Sequence, residues 1–314
     1  MKILVTGGVG FIGSALSKRL FDQGHEVLVV DNFNTYYDVD LKRARQAFFL
    51  GDCTVIEGDI TDEVFVRGLF TEHQFEVVCH LAAQAGVRYS MEQPGLYVET
   101  NVRGTQLLLE VMKDSGVKRI VYASTSSIYG NDAVAPFKEN HVAQKPVSIY
   151  AATKQAGELL IHTYTSMYGM NSTCLRFFTV YGPWSRPDMA MLKFAHQIDK
   201  GEAIDIYNNG ELQRDFTYID DIVDGFVAAI EKPQGYEIIN LGNGAPVALM
   251  TFVQLLEQKM EKTAIKNFLP MQEGDVYTTY ADTTKAKELL GFESKVSFEE
   301  GVEKFVQWYR SFYK

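Results

Sequence analysis

Residues 2–13 read Lys2-Ile3-Leu4-Val5-Thr6-Gly7-Gly8-Val9-Gly10-Phe11-Ile12-Gly13. The aliphatic run is of strand type, and Phe11, Ile12, Ala15, Leu16 and Leu20 recur at helical spacing. The glycines therefore fall on a strand-to-helix turn. Glycine there permits the tight turn, lets backbone N–H groups approach a pyrophosphate, and lets helix and strand pack closely. The helix behind the turn offers the phosphates its positive end. A second run, Glu26–Val30, leads into Asp31, 18 residues after Gly13. A carboxylate in that place accepts hydrogen bonds from ribose hydroxyls and repels a 2′-phosphate. Asn32 and Phe33 follow, with no Lys or Arg before position 42, so NAD is expected rather than NADP.

Working outward, strand-like runs recur at Thr54–Glu57, Glu76–Leu81, Arg119–Ser124 and Ser172–Phe178, with helical patterns between them, notably Thr100–Asp114 and Tyr150–Met167. Strands without period-2 alternation, joined by helices, indicate an α/β fold: a doubly wound parallel sheet of Rossmann type, covered on both faces. After Tyr181 the texture changes. Short runs at Ala203–Tyr207 and Tyr236–Leu241 mix with helices near Asp220–Ile230, Phe252–Glu261 and Phe298–Phe312. A second, smaller, interleaved α/β substrate domain is expected: residues 1–179 plus about 216–243 for the dinucleotide, about 180–215 plus 244–314 for the substrate.

The chain has 314 residues, a net charge of −10 and 46% hydrophobic residues. An acidic chain gains nothing from counterion release on nucleic acid. Its densest basic cluster, Lys42, Arg43 and Arg45, reads as a solvated helix face. No apolar run approaches the roughly 18 residues of a membrane span, and the N-terminus has no signal-peptide pattern. Three cysteines form no CxxC pair, and Cys79 and Cys174 lie in apolar runs as small buried side chains. The six histidines show no metal-ligand spacing. A cytoplasmic, metal-free protein that binds neither nucleic acid nor membrane is expected.

Tyr150 and Lys154 stand four residues apart at the start of a helical segment, so both project from one face. An ammonium beside a phenol stabilises the phenolate, which would make Tyr150 a general base. The simpler alternative pairs Lys154 with Glu158 one turn on. The run Ala123-Ser124-Thr125-Ser126-Ser127-Ile128-Tyr129-Gly130 adds hydroxyls at the C-terminal end of a strand, where doubly wound sheets bind ligands.

Together TGGVGFIG, Asp59-Ile60, HLAAQAGVRYS (80–90), STSSIYG (124–130) and YAATK (150–154) resemble the extended short-chain dehydrogenase/reductases of the nucleotide-sugar epimerase/dehydratase type, over essentially the whole chain. The resemblance implies a catalytic set of Thr125, Tyr150 and Lys154, with Ser126 and Ser127 as alternates or sugar binders. It implies a cofactor shelf of Gly7, Gly10, Phe11, Ile12, Gly13, Asp31, Asn32, Asp59, Ile60, Leu81, Ala82, Ala83, Gln84, Asn101 and Phe178, which Tyr150 and Lys154 also touch. Arg214 would bind the nucleotide diphosphate and Asp275 the nucleoside. Family dimers pack the helices corresponding to Thr100–Asp114 and Tyr150–Met167, so a homodimer is implied.

Dehydratases and decarboxylases of this type resemble one another in placing an acid after the Thr, because elimination needs a proton for the leaving hydroxyl. Ser126, Ser127 and Ile128 supply none, which leaves reversible oxidation: epimerisation. The stretches 34–39, 85–90, 179–190 and 271–275 resemble the UDP-glucuronate 4-epimerase branch, whose chemistry is 4-epimerisation of UDP-glucuronate to UDP-galacturonate. The UDP-glucose/galactose branch usually carries Asn where Thr179 stands. Glu273 in place of Pro and Ser185 in place of Gly depart from the pattern. Arg186 suits a carboxylate or diphosphate, its simpler alternative being a surface pair with Asp188, and Arg88 is a second cation for the substrate. A UDP-glucose/galactose 4-epimerase and a catalytically silent NAD-binding regulator are the competing readings.

Overall fold

The structure, a computed structural model, describes residues 1–141, 145–233, 235–271 and 277–313. Strands β1 (Lys2–Thr6), β2 (Glu26–Asp31), β3 (Thr54–Glu57), β4 (Val77–His80), β5 (Arg119–Thr125) and β6 (Asn171–Phe177) join the strand Tyr236–Leu241 in one sheet. Its order is Tyr236–Leu241, β6, β5, β4, β1, β2, β3, and every pairing is parallel. The doubly wound reading holds. Alternate residues of β1 feed two different cores: Ile3 and Val5 pack with one helix layer, Leu4 with the other. Burial on both faces explains the unbroken aliphatic runs, each such side chain contributing about 1.5–3 kcal/mol.

Strand order reverses between β1 and β4, because β1 leads to β2 and β3 on one side while the chain then returns to β4 on the other. The crevice outside the carboxyl ends of these two strands is where such sheets take ligands. Over it lie smaller pieces. Thr179–Tyr181 pairs in parallel with Gln213–Tyr218, which also pairs with Pro246–Ala248 and Thr278–Thr279, while Ala203–Tyr207 pairs with Ile265–Leu269. The strand Gln213–Tyr218 was not among the expected runs; Arg214 and Asp215 break its apolar signature, and Asp215 is buried under three backbone N–H donors.

Two expectations change here. The helical pattern from Thr100 is a regular helix only over Thr105–Asp114, preceded by a wider, π-type turn at Val98–Gly104. The basic cluster on the helix Val39–Phe49 is solvated only at Arg43, which stays exposed over the Phe33 ring, whereas Lys42 and Arg45 are buried. Lys42 is held by Asn34 and Tyr37, and the wall that covers Arg45 comes from Trp184 and Ser185, about 140 positions later, which spacing cannot reveal. Cys79 and Cys174 are buried as expected. Among the described residues no helix is long and apolar enough to cross a membrane.

Candidate active site

A cleft of about 930 Å³ runs over the carboxyl ends of the sheet. One end is the glycine turn. Gly7 has φ +67, and a Cβ there would stand 2.6 Å from the Ala82 amide nitrogen; a Cβ on Gly13 would stand 2.3 Å from the Gly7 carbonyl oxygen. The backbone is thus packed as closely as glycine allows, and the helix Phe11–Asp22 begins with no side chain capping its first N–H groups. Those groups face the cleft ready for an anion. Asp31 closes this end, accepting from the Val9 and Phe33 amides at 3.2 and 2.9 Å. Lys42 returns to within 4.0 Å of Asp31, so a cation does reach this acid. These donors and this acid fit a dinucleotide.

Asp59 and Asn101, placed on the cofactor shelf by resemblance, do not line the cleft. They brace it. Asp59 accepts from the Asn32 amide and from Thr61, bonds that hold its carboxyl below the usual range against the pull of burial. Asn101 exchanges two hydrogen bonds with the backbone of Gln84 and donates to Thr153, which in turn donates to the Tyr150 carbonyl. The π-type turn carrying Asn101 thereby ties the shelf to the helix of Tyr150. Phe11, Ile12, Ile60, Leu81, Ala82, Ala83, Gln84 and Phe178 all line the cleft.

Tyr150 lies in the first turn of the helix Ile149–Tyr168, whose N-cap Ser148 accepts from the Ala151 amide at 3.1 Å. Thr125 ends β5 and accepts from the Ser127 amide at 3.2 Å, which fixes its hydroxyl beside the phenol. Burial raises the Tyr150 pKa; Arg186 and then Thr125 pull it back, while Asp188 opposes them. Lys154 is not among the groups acting on it. The ammonium sits instead over the Tyr122 ring at 4.0 Å, 3% exposed, and burial draws its pKa down to about 7. Nor does it pair with Glu158, which takes two bonds from Arg176 at 3.0 and 2.8 Å and one from Ser124 at 2.5 Å. Lys154 is left as a buried cation in reach of the cleft.

The other end gathers Arg88, Thr179, Arg186 and Arg214 around Ser126 and Ser127. Arg186 is paired with Asp188 through two bonds at 3.0 and 2.8 Å, as its simpler alternative holds, yet both line the cleft. Burial disfavours the guanidinium charge, but Asp188 outweighs it and holds the group above its ordinary range. Tyr36 donates to Asp188 at 3.2 Å and is pushed up to about 12, by burial first and Asp188 second. Arg88 stacks over Tyr207 at 5.4 Å, and Arg214 donates to the Gln213 carbonyl at 2.8 Å. Asp275 lies outside the described residues. Sequence reasoning missed Asp188 and Tyr36 as wall residues, together with Lys42 and Lys193. Among the described residues six basic side chains and three carboxylates line the cleft.

Residues 3–242 match the model of the NAD dependent epimerase/dehydratase family. The chain is 46% identical to UDP-glucuronate 4-epimerase 5 of Arabidopsis thaliana, covering 100% of this chain and 76% of that one. Among solved structures it resembles the UDP-glucuronic acid 4-epimerase of Bacillus cereus in complex with UDP-glucuronic acid and NAD: TM-score 0.92, 36% identity, 99% of both chains. It also resembles the UDP-glucose 4-epimerase of Thermotoga maritima with UDP-glucose: TM-score 0.91, 35% identity, all of both chains. With a glycine turn, an acid-ended second strand and a Thr–Tyr–Lys set on one cleft, the chain belongs to the NAD dependent epimerase/dehydratase family.

Proposed function

We propose that the chain is a UDP-glucuronate 4-epimerase, interconverting UDP-glucuronate and UDP-galacturonate. The observation that carries this reading is the meeting of Tyr150 and Thr125 with Arg186 on one cleft whose Ser126 and Ser127 offer no carboxylic acid. The Gly7–Gly13 turn, Asp31 and Ala82–Gln84 would hold NAD, which when bound supplies a reversible hydride acceptor at the sugar's C4. Tyr150 takes the C4 hydroxyl proton while Thr125 steadies that oxygen. Arg214 keeps the diphosphate anchored as the oxidised sugar turns, and Tyr150 then returns its proton to the C4 oxygen once the sugar presents the other face of C4. Lys154, one turn along the same helix, would hold the cofactor ribose.

An oxidised uronate is a β-keto acid and can lose carbon dioxide. Arg186, Thr179, Ser126 and Ser127 hold the carboxylate away from the geometry of C–C cleavage. The similarity to the Bacillus cereus and Arabidopsis enzymes supports the uronate, and Thr179 supports it against the neutral hexose. Two further readings belong here. A homodimer through the helices corresponding to Thr100–Asp114 and Tyr150–Met167 is supported by the exposed Leu159 and Met167. A cytoplasmic location is supported by three unpaired cysteines.

Proton NMR of UDP-glucuronate and of UDP-glucose, each incubated with the protein, tests the reading. UDP-galacturonate should appear from the first. A UDP-pentose as main product, or conversion of UDP-glucose alone, overturns it.

A further inference from the structure

Arg45 has 0% of its surface exposed, and its hydrogen-bond partners are all neutral. Its Nε donates to the Trp184 carbonyl at 3.0 Å, Nη2 to the Ser185 carbonyl at 3.3 Å and Nη1 to the Tyr37 hydroxyl at 2.6 Å. A buried cation without a carboxylate is costly, so its three-point grip needs a reason. What it grips is the backbone immediately before Arg186. That turn is strained at Trp184, whose φ of +64 is a conformation L side chains rarely adopt. Trp184 is pressed into it by Phe48 and Phe49 from the Arg45 helix and by Phe312 from the C-terminal helix. The same segment also sets the other partner of the ion pair, since Tyr36 holds Asp188. Both halves of Arg186–Asp188 are therefore positioned by residues 36–45.

We propose that Arg45 is a specificity-determining positioning residue, which fixes the Trp184–Ser185 backbone so that Arg186 is presented to the carboxylate of a uronosyl substrate. This rests on the uronate reading above. The planar fork spans two successive carbonyls and a hydroxyl, which a lysine ammonium cannot match.

The test uses the full chain with NAD and the variants Arg45→Lys and Arg45→Met. It measures KM and kcat for UDP-glucuronate and the dissociation constant of UDP, which lacks the sugar carboxylate. KM should rise about fivefold for Lys and tenfold or more for Met, with kcat within about threefold and UDP binding within twofold. In an Arg186→Ala background, Arg45→Lys should leave KM unchanged, because the coupling runs through Arg186. KM unchanged in the single variants, parallel losses in KM and UDP binding, or full additivity with Arg186→Ala overturns the proposal. Arg45→Lys keeps the charge and most of the volume, so the test stands even where Arg45→Met does not fold. Wild-type protein that ignores UDP-glucuronate defeats the functional reading, whereas conversion with indifferent Arg45 variants defeats this inference alone.

Discussion

The two ends of the cleft are built by different rules. The glycine turn and Asp31 come from 25 consecutive residues, Gly7 to Asp31, and their geometry follows from strand, turn and helix meeting in order. The sugar end is assembled from segments far apart in the chain: Tyr36 and Arg45, Arg88, Thr179 to Asp188, and Arg214. Local chemistry decides the first end; tertiary packing decides the second. Tyr150 and Thr125 stand between them.

Four experiments break or sharpen that contrast. Tyr150→Phe removes the group shared by both ends; turnover should fall by 10²- to 10⁴-fold, the usual span for a general base, while NAD and UDP still bind. Activity within tenfold of wild type would place the base elsewhere. Arg186→Ala touches only the assembled end. Loss of a charge-assisted contact worth about 1.5–3 kcal/mol lowers kcat/KM for UDP-glucuronate by roughly 10- to 150-fold. UDP-glucose should lose less; equal losses would put the role of Arg186 on what both substrates share, the diphosphate or the Tyr150 phenol.

Gly13→Ala touches only the local end. With its Cβ 2.3 Å from the Gly7 oxygen, overpacking should cost about 1–3 kcal/mol of stability and strip copurified NAD, leaving UDP binding intact. NAD retained at full occupancy would contradict the close-packed turn. The last effect, on stability alone, concerns Lys154. Its folded pKa of about 7 lies below the unfolded value, so between pH 7 and about 10 the unfolded chain binds more protons and stability rises with pH. The stability difference between wild type and Lys154→Met should change by about 1.4 kcal/mol per pH unit from pH 7 to 9 in cofactor-free protein. A flat difference in denaturant melts would show that the ammonium is not desolvated.

Legibility in the sequence divides along the same line. The sheet, the turn and Asp31 were readable because short-range spacing carries them, whereas Thr125 was tied to Tyr150 by family resemblance alone. Lys42 and Arg45, at i and i+3 on a helix, read as a wet face because helical spacing shows neither the loop that folds back on Lys42 nor the distant Trp184–Ser185 backbone over Arg45. Asp59 and Asn101 were expected beside the cofactor by resemblance alone; the structure adds that each bonds a residue lining the cleft, Asn32 and Gln84. Burial raises the Tyr150 pKa, and the Arg186 guanidinium pulls hardest against it; no helical spacing links residues 150 and 186.

The six basic side chains of the cleft belong to a molecule of net charge −10. A nucleotide sugar with several negative charges therefore meets repulsion at long range and attraction only near the mouth. Salt screens the distant field first, since the Debye length is about 8 Å at physiological ionic strength, and only then the contacts inside. Moderate ionic strength should hasten the approach of substrate while loosening its final hold, so encounter and residence respond to salt with opposite sign.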